Sequence, residues 1–333
     1  MDAIAVINLP EFLFFDAMGK PLWMWVAFMG VVAALLALDL GVLHRKDRPI
    51  EIRESVIMSG FYIAIALLYG SWVLWSLGSE TGVAYFTGYF IEKSLSLDNV
   101  FVIALIFSHL GVPREYQHRV LFWGILGAIV MRGIMIFAGA ALVANFAWIL
   151  YVFAAFLIFT GGKMLLTKDS EPAIENNPIL KFLRRRFPVT DKVDGHHFLT
   201  RLPRRGKMVT HMTPLLVALV LVELADVVFA VDSVPAIFAI TQDPFVVFTS
   251  NIFAILGLRA LYFALAAAIH RFRYLKPALA LVLLFIGGKI IATGFVGHVP
   301  PLISLAVTLA ILAGGIVWSL VKTRDEPAVT ASH

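Results

Sequence analysis

The sequence contains no cysteine. Disulfide bonds, thiolate metal sites, thiol redox chemistry and cysteine-ligated iron–sulfur clusters are therefore excluded, and any chemistry of this chain must use oxygen and nitrogen atoms. Charged residues are also scarce, at 15% of the 333 residues, whereas 60% are hydrophobic and the mean hydropathy is +0.88. A water-soluble core cannot bury so much apolar surface, so the composition predicts a protein of the lipid bilayer.

Sequence patterns typical of secreted proteins and of common enzymes are missing as well. The first ten residues carry no basic region and no small-residue cleavage site follows the first apolar run, so we expect the first span to be retained. There is no phosphate-binding loop, nucleophile elbow or HExxH motif. We therefore expect a protein that is not an enzyme and that carries no permanently bound cofactor.

Long apolar runs are what the sequence has in abundance. Runs of roughly 20 residues cross about 30 Å of hydrocarbon as helices. Barrel strands would be about ten residues long and would alternate apolar with polar residues, so helices are the predicted spanning element. The sequence predicts an all-α polytopic membrane protein with about nine spans, at 22–43, 55–76, 83–108, 118–140, 146–166, 212–240, 245–268, 277–297 and 301–321.

The basic residues are confined to one set of connections, which indicates membrane topology rather than binding to nucleic acid. Most of the 27 lysines and arginines lie in or beside 44–54, 109–117, 167–211, 269–276 and the C-terminal tail. The opposite connections contain none, at 77–82, 141–145, 241–244 and 298–300. By the positive-inside rule we expect the N-terminus outside and the C-terminus in the cytoplasm.

The long polar segment between the two apolar halves is basic and interrupted by prolines, which predicts a cytoplasmic linker rather than a domain. The predicted division of the chain is an N-terminal transmembrane half at 1–166, the linker at 167–211, a C-terminal transmembrane half at 212–322 and a cytoplasmic tail at 323–333.

The two halves repeat one another. The matching positions, at offsets of 134, 127 and 126 residues, are Glu92, Asp98 and Asn99 with Asp226, Asp232 and Ser233, Arg132 with Arg259, and Gly161-Gly162-Lys163 with Gly287-Gly288-Lys289. Related bundles of this kind are common in transporters. Counting spans gives the two copies opposite directions across the membrane, so an inverted repeat is predicted.

Acidic residues inside the predicted spans are the strongest functional signal: Asp39, Glu92, Asp98, Glu223, Asp226 and Asp232. Each would cost about 2.5–3.5 kcal/mol facing lipid near a helix centre, so they are expected to face an interior. One interpretation is that they only pair with the bases in the spans, Lys93, Arg132, Arg259 and Lys289. The other is that protons or one divalent cation neutralise the negative charge that remains after this pairing.

Helical geometry divides these acids between faces. At 100° per residue Glu92 shares a face with Asn99, and Asp226 shares one with Glu223 and Ser233. Asp98 and Asp232 lie about 120° away, so either they serve a neighbouring helix or each segment is unwound between its two acids. Asp39 has two alternatives, a role near the site or pairing with the adjacent basic loop. Carboxylates with other oxygen ligands suit Mg²⁺, Ca²⁺ and Mn²⁺, and their titration allows exchange of metal for protons.

The segments Glu92-Lys-Ser-Leu-Ser-Leu-Asp98-Asn99 and Glu223-Leu-Ala-Asp226-Val-Val-Phe-Ala-Val-Asp232-Ser233 closely resemble the TerC family of bacterial membrane proteins, including its Alx branch. The resemblance implies an inner-membrane protein of the LysE transporter superfamily, with Mn²⁺ export as the activity and tellurium resistance as the historical label. It implies a central metal site formed by Glu92, Asp98, Asn99, Asp226, Asp232 and Ser233, with Asp39 and Glu223 as accessory ligands or relay groups.

The expected partners are thus the lipid bilayer and a divalent metal ion, with Mn²⁺ as transported substrate. Two other interpretations stay open. The protein is a Ca²⁺ or Mg²⁺ exchanger, or it is the membrane anchor of a metal-stress complex that uses the basic linker as its docking surface.

Overall fold

A computed structural model describes residues 13–39, 51–166, 178–204, 207–265, 275–296 and 299–323. The helices in these ranges are α1 (Leu22–Leu38), α2 (Ile52–Leu77), α3 (Ser79–His109), α4 (Arg114–Asn145), α5 (Ile149–Leu166), α6 (Pro178–Arg186), α7 (Pro214–Phe238), α8 (Pro244–Leu256), α9 (Leu258–Leu265), α10 (Leu275–Val296) and α11 (Pro301–Lys322). Two antiparallel two-stranded ribbons complete the described part, β1 (Asp16–Ala17) with β2 (Lys20–Pro21), and β3 (Leu199–Arg204) with β4 (Lys207–Met212). The predicted all-α polytopic fold is confirmed.

Seven helical segments of the described ranges are long and apolar enough to cross a membrane, with α8 and α9 counted together. They are α2, α4, α5, α7, α8–α9, α10 and α11. The two remaining predicted spans correspond to α1, which has 17 described residues, and to α3, which has 31 residues and carries charged side chains along its length.

The ends of the helices follow from local sequence. Pro214, Pro244 and Pro301 occupy the first turns of α7, α8 and α11, where the missing N–H of proline leaves no helical hydrogen bond unmade. Asp243 caps α8 by accepting hydrogen bonds from the backbone N–H groups of the first turn. Gly78, with φ of 93°, makes the sharp turn from α2 into α3, a conformation that residues with a Cβ rarely adopt.

The exterior of the bundle is apolar, and several charged side chains are buried within its largely apolar interior. Leu68, Trp75 and Phe159 are among many large apolar side chains that are exposed, whereas Glu92 and Arg132 are each 1% exposed. Such a continuous apolar exterior is expected where lipid, not water, surrounds the protein.

Packing of α5 against α10 shows how the two halves are related. A Cβ added to Gly161 would lie 2.8 Å from the carbonyl oxygen of Ala280, and one added to Gly287 would lie 2.8 Å from that of Ala154. An offset of 126 residues converts the first contact into the second. Because the contacts run in opposite directions along the two helices, α5 and α10 are antiparallel, as a two-fold axis across the bundle requires. The predicted inverted repeat is confirmed.

One ion pair shows which two connections lie at the same end of the bundle. Lys20, just before α1, makes an ion pair of 3.0 Å with Asp243, at the turn between α7 and α8. The start of α1 and this turn therefore lie at the same end of the bundle. The alternation of the nine predicted spans requires the same arrangement.

The predicted linker contains regular structure that the sequence did not predict. Its helix α6 begins at Pro178 and buries Leu180 and Leu183 against the first turns of α7, including Leu215. The β3–β4 ribbon leads from α6 into α7, and the backbone N–H of Met212 donates to the carbonyl oxygen of Pro188. The described part of this segment is thus attached to one end of the bundle.

Candidate functional site

A buried cluster of charged residues joins the two halves of the protein. Arg132 of α4 donates hydrogen bonds from Nε and Nη2 to Oδ2 and Oδ1 of Asp226 on α7, at 3.0 and 2.7 Å. Its Nη1 also makes an ion pair with Glu92 of α3. Glu92 and Asp226 are the equivalent acids of the two repeats. The inverted repeat therefore brings its paired acids onto one guanidinium.

Polar residues complete this cluster. Asn251 of α8 donates from Nδ2 to Oε2 of Glu92 at 3.1 Å, and its Oδ1 accepts from Arg132 at 3.0 Å. Ser233 Oγ lies 3.4 Å from Nη1 of the same arginine. Four helices, α3, α4, α7 and α8, thus meet at the cluster. We refer to Glu92, Arg132, Asp226, Asn251 and Ser233 together as the central cluster.

Asn251 is the member of the central cluster that sequence analysis missed. It has no polar equivalent in the first repeat, because the offset of 127 residues aligns it with Gly124. The available signal is the polar run Thr249-Ser250-Asn251 inside an otherwise apolar span, all three being fully buried. Buried polar groups in a membrane helix need partners, so this run indicated an internal contact.

The four carboxylate oxygens of the central cluster all accept hydrogen bonds. Arg132 and Asn251 together supply the donors for Glu92, and Arg132 alone supplies those for Asp226. With both acids ionised the cluster carries one net negative charge. The guanidinium thus fills the space between the two acids.

A small cavity lies directly beside the central cluster. It offers about 20 Å³ to the centre of a water molecule, which is enough for one water or one bare ion. Asn99, Asp226 and Arg259 lie on its wall. Oδ1 of Asn99 is buried and has no hydrogen-bond partner among the described residues. The oxygen atoms of Asn99 and Asp226 at this water-sized cavity are suitable ligands for a hard cation and suitable hydrogen-bond acceptors for a water.

Glu223 lies one helical turn before Asp226 on α7, and its carboxylate rests against Gly127 of α4. A methyl group at position 127 would overlap this carboxylate. The glycine therefore provides the space in which Glu223 sits. The structure thus places Glu223 beside the central cluster.

Asp232 lies apart from the acid pair. It borders a second, larger cavity of about 330 Å³, together with Thr160 and Lys163 of α5 and Lys276 of α10. The helix α7 is continuous through Asp232 and Pro235. Of the two arrangements considered from the sequence, the structure has the one in which this acid serves a neighbouring helix.

The other predicted site residues have distinct surroundings. Asp39, only 3% exposed, makes an ion pair with Arg259, so each of the two membrane arginines pairs with a carboxylate. Asp98 lies on α3, and its side chain is outside the described structure. Within the described ranges, no three histidine, aspartate or glutamate side chains are grouped to hold a metal ion.

A break in the span after α7 lies next to the central cluster. The helix stops at Leu256 and resumes at Leu258, and the ammonium of Lys93 rests against Gly257 between them. Lys93 donates to the carbonyl oxygen of Ala254 at 3.3 Å. A cation thus lies at the carboxyl end of α8, where unpaired carbonyl groups concentrate negative partial charge.

The family pattern of the integral membrane protein TerC family matches residues 77–326. The chain belongs to the TerC family. The matched range of this TerC-family chain includes the whole central cluster, both repeats and the segment between them.

Similar proteins span nearly the full length of this TerC-family chain. An uncharacterized membrane protein of Myxococcus xanthus is 50% identical over 317 residues, covering 95% of this chain and 98% of its own. A membrane protein of Rickettsia felis is 46% identical over 298 residues, covering 90% and 97%. Alx of Escherichia coli K12, named as a proposed membrane-bound redox modulator, is 46% identical over 306 residues, covering 89% and 94%. No solved structure matches the chain significantly.

Proposed function

We propose that this TerC-family protein exports a divalent cation, with Mn²⁺ as the favoured substrate, through a path between α3 and α7. The observation that carries the proposal is the convergence of Glu92 and Asp226, the equivalent acids of the two repeats, on one buried position. Transporters built from inverted repeats have their substrate sites where the repeats meet. Acids held in a membrane interior are more often functional than incidental.

The donor atoms around this position fit a hard cation. Carboxylates of Glu92 and Asp226, the amide oxygen of Asn99 and the hydroxyl of Ser233 offer only oxygen ligands, which suit Mn²⁺, Mg²⁺ and Ca²⁺. Mn²⁺ is preferred on the resemblance to the Alx branch. The redox role in the name of Alx would need thiol-free chemistry here, since the chain has no cysteine.

The proposed direction rests on the resemblance to the Alx branch, and the proposed coupling rests on the nature of the ligands. With the basic connections in the cytoplasm of a bacterium and the N-terminus outside the inner membrane, metal leaves the cell from the side of the linker. The carboxylates also bind protons, so the proton gradient can drive export by exchange. The large cavity at Asp232 is part of the proposed ion path.

Metal uptake into inside-out proteoliposomes tests the transporter proposal. Mn²⁺, Ca²⁺, Mg²⁺ and Zn²⁺ are compared for the wild type, Glu92→Gln and Asp226→Asn. We expect Mn²⁺ uptake to fall by about 10- to 100-fold or more in both variants, because even losing a contact that supports a metal ligand has an effect of this size. Glu80→Gln, an exposed acid of the same helix α3, is the matched control and keeps wild-type uptake.

Two outcomes would redirect the proposal. Wild-type uptake of Ca²⁺ or Mg²⁺ in preference to Mn²⁺ would favour the exchanger alternative. An absence of carboxylate-dependent flux for every ion would favour the anchor alternative, for which the exposed arginines at the end of α6 form a docking surface: Arg184, Arg185 and Arg186.

The close fit of Glu223 against Gly127 gives a second prediction. Gly127→Ala places a methyl group where the carboxylate lies, so Glu223 has to turn away from the central cluster. If Glu223 is an accessory ligand or relay group, Mn²⁺ uptake in the same vesicles falls by about 10-fold. Gly133→Ala on the same helix α4 is the matched control, since its new methyl group meets the ring of Phe248 at an ordinary 3.4 Å. Equal uptake by the two variants would remove Glu223 from the mechanism.

A further inference from the structure

The proposed metal position is already occupied by a cation that belongs to the protein. The guanidinium of Arg132 contacts both acids, and it is the donor for both oxygens of Asp226. We infer that Arg132 is a tethered counter-cation: it neutralises the acid pair when no metal is bound, and the metal must displace it. This inference rests on the proposed function and extends it to the metal-free half of the transport cycle.

Arginine and metal cannot share the acid pair. A divalent cation bound between the two acids would lie about 2.0–2.6 Å from each ligand oxygen, in the space that the guanidinium now fills. The two positive charges would also repel each other in an interior of low dielectric constant. Occupation of Glu92 and Asp226 by Arg132 and by metal is therefore mutually exclusive.

Acceptors for a shifted guanidinium lie beside the central cluster, where the cavity itself holds no more than one water. The small cavity beside the central cluster is bordered by Leu121, Ile125 and Ala128, which share one face of α4 with Arg132. Asn99 lies on the wall of the cavity, and its buried Oδ1 has no hydrogen-bond partner within the described part of the chain. Glu223 provides a carboxylate one turn from Asp226. The side chain of Arg132 can thus leave the acid pair without leaving the protein interior.

Of the two equivalent arginines of the repeat, Arg132 is the one that pairs with Glu92 and Asp226. Arg259 is the equivalent of Arg132 and is similarly buried, yet it is held by Asp39 of α1, a helix outside the repeat. The two halves are alike in sequence, but the acid pair has a single tethered cation. Arg259 is therefore a matched control of the same residue type and burial.

A tethered counter-cation affects the metal-free protein, which has to return its binding site to the side from which metal is taken up. Metal neutralises the two acids while it is carried across. Without metal and without the arginine, the two carboxylates would have to bind two protons or change their access through a nonpolar interior as bare charges, at a large desolvation cost. Arg132 removes most of that cost, so net export depends on the arginine whereas exchange of metal for metal does not.

Proteoliposomes containing purified Arg132→Gln separate these two activities. Exchange is measured with Mn²⁺ on both sides and a labelled tracer on one side, and net flux with Mn²⁺ on one side only. The expected result is that exchange is retained and net flux is lost, whereas Arg132→Lys recovers part of the net flux. In Arg259→Gln any loss falls equally on both activities.

Binding of Mn²⁺ gives a readout that does not depend on transport. Removing the competing cation should tighten the apparent Mn²⁺ affinity, by about tenfold if the arginine-free state is about a tenth of the wild-type population. The shift of melting temperature with Mn²⁺ concentration measures this affinity. In the double variant Glu92→Gln, Arg132→Gln we expect Mn²⁺ to cause no shift. If the wild type shows no flux, the proposed function fails. The comparison of Mn²⁺ affinity between the wild type and Arg132→Gln still tests whether Arg132 competes with the metal.

Several results would overturn the inference. Net flux of Arg132→Gln at the wild-type rate would show that the empty carrier does not need the guanidinium. A folded Arg132→Gln protein with neither exchange nor stabilisation by Mn²⁺ would give the arginine a purely structural role. Unchanged or weaker Mn²⁺ affinity in that variant would contradict the competition directly.

Discussion

Replacement of Arg132 by methionine is expected to lower the free energy of unfolding of the metal-free protein by about 3–5 kcal/mol. The guanidinium is 1% exposed and contacts the carboxylates of both Glu92 and Asp226. Removing one partner of a buried ion pair leaves the other charge uncompensated, and here two charges lose their partner at once. Methionine fills irregular space without adding a charge, so the effect is mainly electrostatic. Equilibrium unfolding in mixed micelles, followed by tryptophan fluorescence, measures it.

Neutralising the acids together with the arginine should reverse most of this loss. Buried ion pairs are often replaced by neutral groups with little change in stability, because the desolvation penalty disappears with the charges. We therefore expect Glu92→Gln, Asp226→Asn and Arg132→Met in combination to be more stable than Arg132→Met alone. Arg184→Met, which removes the exposed ion pair with Asp191, should change stability by less than about 1 kcal/mol. A combined variant no more stable than Arg132→Met would mean that side-chain volume, not charge, dominates.

The general location of the central cluster could be predicted from the sequence. Acids are too costly in lipid to face outward, and the 134-residue offset pairs Glu92 with Asp226. Helical geometry placed Ser233 with Asp226 and set Asp232 about 120° away. The structure follows that geometry, since Ser233 joins the cluster and Asp232 borders the other cavity. Periodicity within one helix was sufficient for these assignments.

The helix that each side chain contacts could not be predicted in the same way. The repeat presents Arg132 and Arg259 as equivalents, yet one takes both central acids and the other pairs with Asp39. The difference arises from α1, which has no counterpart in the repeat. Asn251 likewise depends on how α8 packs against α3. Contacts between helices depend on tertiary packing, which a single sequence does not display.

Local backbone features also escaped prediction. The sequence of the predicted span at 245–268 gave no sign that the helix stops at Leu256. A glycine such as Gly257 inside a span is equally compatible with close helix packing. The polar linker was similarly ambiguous, because prolines that interrupt structure also start it. Pro178 begins α6. In both places one residue type supports two backbone conformations, and the surrounding packing decides between them.

Leucine at Gly161 or Gly287 is expected to lower the free energy of unfolding by about 3 kcal/mol or more, at the upper end of the effects of overpacking. At either position the first side-chain carbon would already lie 2.8 Å from a backbone carbonyl oxygen of the facing helix, and backbone cannot turn aside as a side chain does. The helices α5 and α10 would have to separate along their whole contact. Thermal unfolding in micelles and the yield of monodisperse protein measure the effect.

The neighbouring glycines provide the matched control for this prediction. Gly162 and Gly288 have nothing within 4 Å of the position of a Cβ, so leucine there should be accommodated, with a stability within about 1 kcal/mol of the wild type. Because the contacts of Gly161 and Gly287 are related by the two-fold axis, their two leucine variants should be affected to a similar degree. A large loss at one glycine and none at the other would show that α5 and α10 are not packed symmetrically. The inverted repeat would then be a feature of the sequence that the helix contact does not preserve.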